Sequence, residues 1–261
     1  MLRVMTWNIR TGGQGSGGPD RRDRIVRVVA EARPDVLALQ ELRGVDADVL
    51  AGFAERTGLR GHLARSVFGQ PVAVLLRPPW RMVASGPVRR PFHHAAARVV
   101  VATDAGPLTV VGTHFDPYSG LRRRLEAGWA AAALRPARGG LALLAGDLNT
   151  LEPGADHADR IARLPQPYRR RHLRRDGRTV DSRAVARLLD AGLVDLGVAA
   201  GPTAPTRHGG GAEFSGMRLD YLLATPALAA RCRDIRVLRG GETEYASDHY
   251  PVLADLALSP A

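Results

Sequence analysis

The stretch LALLAGDLNT, residues 141–150, joins an apolar run of strand length to a polar turn. Its first five residues carry only aliphatic side chains, which is typical of a strand buried on both faces. Asp147 and Asn149 follow directly, two residues apart. Side chains two apart along a strand point to the same face, so this pair projects together if extended geometry continues through Leu148. A carboxylate and an amide at the tip of a buried strand indicate a device for holding something polar.

The same arrangement, an apolar run with a polar side chain at its end, recurs along the chain. The residues are Asn8 in TWNIR, Glu41 in LQEL, His114 in GTHFD, Asp147 and Asn149 in GDLN, Asp220 in RLDY, and Asp248 and His249 in SDHYP. In layered α/β proteins, strand ends and the loops beyond them are where sites form. We therefore expect the functional site among these residues.

Between these motifs, strand and helix patterns alternate, which indicates an α/β protein. Strands are predicted at 2–8, 35–42, 71–77, 98–103, 108–115, 141–149, 218–225, 234–240 and 249–258. Helices are predicted at 21–32, 47–57, 122–134 and 183–191. The segment 151–182, rich in Pro, Arg and Asp, is predicted to form a long surface loop with room for one helical turn. No linker of domain-boundary length appears, so residues 1–261 are interpreted as a single domain.

Composition narrows the class of protein. A chain of 261 residues is within the range of single α/β domains, and 45% hydrophobic residues suffice for a sizeable core. The net charge is +11, and every basic residue is arginine. This bias is more typical of a high-GC genome than of selection for one partner. A basic surface still attracts phosphate-rich or anionic partners, so the charge supports such a partner weakly.

The N-terminus and the cysteine content bear on location. The single cysteine, Cys232, excludes an internal disulfide and fits a reducing compartment. MLRVMTWNIR passes directly into a strand pattern, without the apolar core of a signal peptide. No run approaches the ~18 apolar residues that cross a bilayer. We expect a cytoplasmic monomer without a transmembrane segment.

The series TWN, QE, GTH, GDLN, RLDYLL and SDHYP resembles the endonuclease/exonuclease/phosphatase superfamily, from Thr6 to Pro251. One such short motif is a weak indication, whereas six in this order, each at an apolar strand end, are a strong one. The superfamily includes pancreatic-type deoxyribonucleases, AP endonucleases, inositol-phosphate phosphatases, bacterial sphingomyelinases and tyrosyl-DNA phosphodiesterases. The resemblance implies a four-layer α/β sandwich, with two mixed β-sheets packed face to face and helices outside.

The resemblance also implies a divalent metal ion, usually Mg²⁺ or Mn²⁺ in its place, and hydrolysis of a phosphate ester. A metal neutralises the phosphate oxygens that repel a nucleophile, and an activated water attacks in line with the leaving oxygen. Mg²⁺ prefers oxygen ligands and keeps several waters, so one or two carboxylates suffice. Glu41 is the best ligand candidate. By resemblance, Asn8 and Asp248 complete the surroundings of the ion, directly or through water.

The resemblance assigns catalytic roles to the remaining residues. Asp147 would accept a hydrogen bond from the attacking water and orient or deprotonate it. Asn149 would offer amide donors to the phosphate or the nucleophile. His114 and His249 would donate to the non-bridging oxygens, where charge grows in the transition state. Asp220 would hold His249, fixing its tautomer or keeping it cationic.

Simpler interpretations of the same residues remain open. Asn8 could be a turn residue, Glu41 could begin a helix, and Asp147 with Asn149 could form an Asx turn. SDH could be a helix N-cap, although the following YPVLADL is typical of a strand. The glycine-rich stretch 11–20 lacks the GxxxxGK[ST] pattern of a phosphate-binding loop. The other histidines lack matching motifs and are predicted to be solvent-exposed: His62, His93, His94, His157, His172 and His208.

The substrate is less well defined. AP endonucleases typically carry a lysine after QET and a tryptophan before RLDY, whereas this chain has QELR and FSGMRLDY, which argues against a standard member of that branch. Arginines in the segment 169–175 could contact nucleic-acid phosphates or anionic lipid, or could form a solvated loop. We predict a metal-dependent phosphoesterase, first of all a nuclease on DNA or RNA. The alternative is an enzyme for a phospholipid, inositol phosphate or other small phosphate ester. A binding module without activity is disfavoured, because every expected catalytic position is filled.

Overall fold

The computed structural model describes residues 1–15, 20–135 and 140–261, so positions 16–19 of the glycine-rich stretch lie outside it. The strands are β1 (Leu2–Asn8), β2 (Val36–Gln40), β3 (Arg60–Ala64), β4 (Val72–Leu76), β5 (Met82–Pro87), β6 (Ala95–Val101), β7 (Leu108–His114), β8 (Leu141–Asp147), β9 (Val194–Asp195), β10 (Asp220–Ala224), β11 (Cys232–Val237) and β12 (Val252–Leu256). The helices are α1 (Arg22–Ala32), α2 (Ala47–Thr57), α3 (Gly120–Leu134), α4 (Ala158–Arg163), α5 (Gln166–Arg169), α6 (Arg183–Asp190), α7 (Pro226–Ala229) and α8 (Thr243–Ala246).

These strands form two six-stranded mixed sheets, in the orders β11-β12-β1-β2-β4-β3 and β5-β6-β7-β8-β10-β9. Each sheet has a parallel pair at its centre, β1 with β2 and β7 with β8, and the other pairings are antiparallel. Helices α1 and α3 connect the two strands of their respective parallel pairs. Parallel strands carry their carboxyl ends to the same sheet edge, which is where the polar motifs of β1, β2, β7 and β8 fall.

The sheets pack face to face and each is covered outside by helices, so the predicted four-layer sandwich is confirmed. In β8, Leu143 and Ala145 face the core between the sheets, whereas Ala142 and Leu144 pack in the outer core that contains α3 and α6. On the other sheet, α1 and α2 cover the outer face. Burial on both faces explains why this strand is an unbroken apolar run rather than an alternating one.

Three edge strands, β3, β5 and the two-residue β9, are absent from the sequence prediction. Strand β3 has the sequence RGHLA and β5 the sequence MVASGP, and most of their side chains are partly or fully exposed. An edge strand with little burial carries no strong period-two pattern, so sequence periodicity cannot detect it.

The prediction of a surface loop at 151–182 is wrong. This segment contains α4, α5 and a 3₁₀ turn, Arg170–His172. Its apolar residues build a small core of their own, together with Ala204, Met217 and Leu219, which precede β10. The helices are too short for a periodic signal, and their burial depends on distant contacts. Over the described ranges, the helices all fall short of the length and apolarity that crossing a membrane requires.

Candidate active site

One edge of the sandwich collects all eight predicted site residues. Asn8, His114 and Asp147 end β1, β7 and β8, and Asp220 begins β10. The other four lie in the adjoining turns: Glu41 directly after β2, Asn149 after β8, and Asp248 and His249 before β12. Their side chains form a continuous network, because both sheets present the ends of their central strands to the same place.

Asn8 connects the two sheets at this edge. Its amide nitrogen Nδ2 donates to Glu41 Oε1 at 3.0 Å and to Asp147 Oδ2 at 3.0 Å. Its oxygen Oδ1 accepts from the backbone nitrogen of Arg10 at 3.0 Å. In this arrangement Asn8 positions two carboxylates through its nitrogen. The interpretation as a turn residue accounts for the contact of its oxygen with Arg10, but not for the two contacts of its nitrogen.

Glu41 sits on a backbone that is unusual for its residue type. Its φ is 59°, in the left-handed region, and its Oε2 accepts from the backbone nitrogen of Thr11 at 3.2 Å. The alternative that Glu41 begins a helix is wrong, because the next helix starts at Ala47 and is capped by Asp46. A left-handed conformation costs a non-glycine residue about 1–2 kcal/mol, and such strain concentrates at functional sites.

The GDLN turn differs from the extended geometry that its spacing suggested. Strand β8 ends at Asp147, and Asn149 has a left-handed φ of 47°. The backbone nitrogen of Asn149 donates to Asp147 Oδ1 at 2.8 Å, which is the Asx turn of the alternative interpretation. The prediction that strand geometry continues through Leu148 is therefore wrong. The pair still converges, because the turn folds Asn149 back over the strand end.

The amide of Asn149 sets the tautomer of His114. Its nitrogen Nδ2 donates to the carbonyl oxygen of Phe115 at 3.0 Å and lies 2.9 Å from His114 Nε2. Since a carbonyl only accepts, this orientation leaves His114 Nε2 as the acceptor of the second amide hydrogen. Burial, and then the charge of His249, hold the pKa of His114 well below its usual value. His114 is neutral here and accepts through Nε2, so in this arrangement neither that nitrogen nor the amide hydrogens of Asn149 are free to donate to a phosphate.

His249 is in the opposite charge state. Its Nδ1 lies 2.8 Å from Asp220 Oδ2, and its Nε2 lies 3.8 Å from Asp147 Oδ2. Burial acts to lower the pKa of His249, but the charges of Asp220 and Asp147 outweigh it and raise the pKa well above the usual value. A cationic His249 donates through Nδ1 to Asp220 and points Nε2–H towards the centre of the site. Phe214 packs edge-on against the ring at 5.1 Å.

Asp147 titrates near neutrality. Burial, followed by the neighbouring charge of Asp220, raises its pKa to about 7, against the opposing effects of His249 and Asn8. A carboxylate with a pKa near the working pH is suited to accept a proton from water. Asp248 is also buried, and burial raises its pKa while Glu41 raises it further.

This concentration of buried carboxylates fits a divalent cation. Asp147, Asp220 and His249 offer ligand atoms within 4.8 Å of one another. In this cluster, however, the cationic His249 already pairs with Asp220 at 2.8 Å and takes the place of a metal ion there. The negative charges of Glu41 and Asp248 act on each other. Among the described residues, their one close ion-pair partner is Arg10, whose Nε lies 3.4 Å from Asp248 Oδ2. Oxygen donors with surplus negative charge are the ligands Mg²⁺ and Mn²⁺ take.

Sequence reasoning missed a neighbour of this network. His94 is only 6% exposed, and its ring centroid lies 4.0 Å from that of His114. Burial, above all, lowers the pKa of His94 to about 2. The prediction of solvent exposure is wrong for His94, and also for the buried His157 and His172. No motif in the sequence marks His94; it reaches the site because it stands just before a strand whose first residue pairs with His114.

A sandwich of two mixed sheets that gathers carboxylates, amides and histidines at one edge defines a class of phosphoesterases. Within that class, the chain belongs to the Endonuclease/Exonuclease/phosphatase family, whose profile matches residues 5–249. Members of this family generally use divalent metal ions.

Solved structures with the same fold come from several organisms. An AP endonuclease from Archaeoglobus fulgidus is 21% identical with a TM-score of 0.72, covering 98% of this chain and 100% of that one. A mannosyl-6-phosphatase from Bacteroides thetaiotaomicron is 17% identical with a TM-score of 0.69, covering 98% and 100%. Truncated TDP2 from Caenorhabditis elegans is 17% identical with a TM-score of 0.65, covering 97% and 96%. At these identities the likeness concerns the fold alone. No curated protein is significantly similar to this chain.

Proposed function

We propose that this chain, acting as a single domain over residues 1–261, hydrolyses phosphodiester bonds of DNA or RNA with a divalent metal ion. The observation that carries the proposal is the facing pair at the centre of the site. Asp147 has a pKa of about 7, and its Oδ2 lies 3.8 Å from Nε2 of the cationic His249. A proton acceptor and a proton donor held this close can act on the same phosphate group.

Six of the eight site residues each have one task in this proposal. His249 Nε2–H donates to a non-bridging phosphate oxygen, and Asp220 keeps that imidazole charged and oriented. Asp147 orients the attacking water and takes its proton. Asn8 holds Asp147 and Glu41 in register. Glu41 and Asp248 would hold Mg²⁺, or Mn²⁺ in its place, and the ion would neutralise charge on the phosphate.

Charge supports a nucleic acid as substrate over a small ester. The net charge is +11, and exposed arginines lie in the segment 169–175, at Arg170, Arg174 and Arg175. Polyphosphate chains bind such surfaces through many contacts, whereas a single phosphate ester gains little from them. The AP endonuclease and TDP2 share the fold, but so does the mannosyl-6-phosphatase, so fold likeness does not decide between these classes.

The test is turnover of bis(p-nitrophenyl) phosphate with Mg²⁺, with Mn²⁺ and with chelator. Metal-dependent hydrolysis that Asp147→Asn abolishes is the expected result, and turnover that continues in chelator would sink the proposal. A panel of plasmid, single-stranded DNA, abasic duplex, RNA, phosphatidylinositol phosphates and sphingomyelin then separates substrates. Faster turnover of a lipid or sugar phosphate than of any nucleic acid would favour the alternative class.

A further inference from the structure

A row of ring side chains runs from the candidate active site to the surface. The ring centroid of His94 lies 4.0 Å from that of His114 and 4.6 Å from that of His93. His93 in turn stacks on Phe68 at 4.6 Å, with an angle of 16° between the planes, and meets the edge of Tyr118 at 5.8 Å. The row begins buried and ends exposed, since Phe68 is 57% and Tyr118 62% exposed. Exposed aromatic rings next to a catalytic centre are candidates for substrate contact.

A cationic plane extends this row. The guanidinium of Arg171 lies over the ring of Tyr118 at 5.1 Å and over the ring of Tyr168 at 4.7 Å. Phe68, His93, Tyr118, Arg171 and Tyr168 together form a surface that we call the aromatic platform. Its members come from four separate segments of the chain, so their alignment is a property of the fold and not of one local sequence.

Helix α3 anchors two of these segments from below. The side chain of Glu126 is fully buried and accepts from the backbone nitrogen of His93 at 2.6 Å and from that of Asp116 at 2.7 Å. Asp116 Oδ1 then accepts from the backbone nitrogen of Tyr118 at 2.7 Å. One buried carboxylate on α3 therefore fixes the positions of His93 and Tyr118 relative to each other.

The segment that carries Tyr168 and Arg171 is anchored by the same helix. Arg123, three residues before Glu126, is 1% exposed, and its Nη2 donates to the backbone oxygen of Arg171 at 2.7 Å. Its Nη1 donates to the backbone oxygen of Asp116 at 3.2 Å. Burying a charged arginine or glutamate side chain is costly unless hydrogen bonds satisfy its polar atoms. Here both side chains hold the backbone under the aromatic platform, which makes that surface preorganised.

We propose that the aromatic platform stacks unpaired bases of a single-stranded nucleic acid while an adjacent phosphate occupies the candidate active site. This inference rests on the proposed phosphodiesterase function and narrows its substrate. Every base offers a flat face to such rings, and the exposed Arg170 and Arg174 complement the backbone phosphates. In a duplex the bases stack on each other, so their faces are not available. The platform therefore selects single strands over duplexes.

Fluorescence anisotropy with chelator present measures binding without hydrolysis. The probes are a labelled oligothymidylate and a blunt duplex of the same length. We expect Phe68→Ala and Tyr118→Ala each to weaken oligothymidylate binding about 5- to 100-fold, the range for loss of one base–aromatic stack, with little change for the duplex. Phe68→Trp and Tyr118→Phe should keep wild-type affinity. Tyr245→Ala is the matched control, since Tyr245 is 48% exposed and stacks on His208, outside the platform.

Unchanged oligothymidylate affinity in both alanine variants would overturn the inference, and so would equal losses for single strand and duplex. Binding to phosphatidylserine vesicles that depends on Phe68 and Tyr118, with no binding of oligothymidylate, would assign the platform to a membrane surface instead. Both positions are exposed, and thermal melting verifies that the variants fold. Turnover of bis(p-nitrophenyl) phosphate is measured separately. If the platform does not bind single strands, turnover of bis(p-nitrophenyl) phosphate persists. If the proposed hydrolysis is absent, the preference for oligothymidylate over duplex is still measured independently of it.

Discussion

At the scale of single residues, the charge states of three side chains define the chemistry available to the site. Asp147 is poised near neutrality, His249 is cationic, and His114 is neutral. The same burial acts on all three, and the difference comes from neighbours. Asp220 lies 2.8 Å from His249 Nδ1, whereas His114 has the ring of His94 beside it and shares its Nε2 between the Asn149 amide and Asp147, whose Oδ2 lies 3.4 Å away. Two histidines that look alike in sequence therefore have different roles.

Replacing Asp147 tests the proton acceptor. Asp147→Asn keeps the size of the side chain but removes the basic oxygen, so we expect kcat to fall about 10²–10⁴-fold with little change in KM. In the wild-type protein the base works only when deprotonated, so kcat/KM should fall as the pH drops through about 7. The variant should lack this acid limb. Steady-state kinetics across pH measure both effects, and wild-type kcat in Asp147→Asn would contradict the assignment.

Replacing Asp220 tests how the charge of His249 is maintained. Asp220→Asn removes the carboxylate that most raises the pKa of His249, so that pKa should fall. His249 acts in its protonated form, hence the alkaline limb of the pH–rate profile should move to lower pH and kcat should drop at least about tenfold. Asp195→Asn is the matched control, since Asp195 is similarly buried in an ion pair with Arg218 at 2.8 Å. An alkaline limb that stays in place would exclude this role.

Which residues gather at the site could be predicted, but their hydrogen bonds could not. Glu41 and Asn149 both stand at strand ends in the sequence, yet their left-handed backbones are set by turns. The neutral state of His114 follows from its burial, and its tautomer follows from contacts between β7 and the turn after β8, which lie far apart in the chain. His94 entered the site through strand pairing with no motif of its own.

At the scale of elements, the parallel pair β7–β8 positions Asp147 and His114 side by side, since these two residues are register partners. Gly146 permits this pairing. A Cβ there would lie 1.9 Å from the backbone oxygen of Thr113, so the strands approach too closely for any side chain. Core helices and strands with strong apolar patterns were predictable, whereas β3, β5 and the short helices α4 and α5 depend on tertiary contacts that no local pattern records.

Gly146→Ala tests this close approach. The added methyl group must push β8 away from β7, so we expect the free energy of unfolding to fall by about 1–3 kcal/mol, as for other overpacked cores. Activity should fall as well, because Asp147 is the next residue. Gly86→Ala in β5 is the control, since a Cβ at that strand glycine meets no atom within 4 Å among the described residues. Urea denaturation compares the two, and equal stabilities would contradict the packing argument.

At the scale of the whole molecule, the two sheets repeat one plan. In each sheet, an antiparallel strand pair lies beside a parallel pair whose strands are connected by a helix. The order β11-β12-β1-β2-β4-β3 therefore corresponds to β5-β6-β7-β8-β10-β9. Asn8 and His114 end equivalent strands, and Glu41 and Asp147 follow or end the next equivalent pair. The site lies where the two copies meet, which concentrates carboxylates that neither sheet would bring together alone.

That concentration predicts how a metal ion affects the stability of the whole fold. Glu41 and Asp248 repel each other in the native state, and a bound divalent cation would relieve this repulsion. A ligand that binds only the folded state stabilises it by about 2.7 kcal/mol at a hundredfold excess over its Kd. Mg²⁺ or Mn²⁺ should therefore raise the Tm of the wild-type protein, and chelator should reverse the rise.

Glu41→Gln should remove most of this metal-dependent rise. Its Tm in chelator should equal or exceed that of the wild type, because glutamine preserves the size of the side chain and removes one of the two repelling charges. Glu55→Gln is the control, since Glu55 is exposed on α2, away from the site. Differential scanning calorimetry across a metal titration measures both variants and needs no substrate. A full thermal shift in Glu41→Gln would remove Glu41 from the metal site and leave Asp248 or the Asp147–Asp220 pair as its centre.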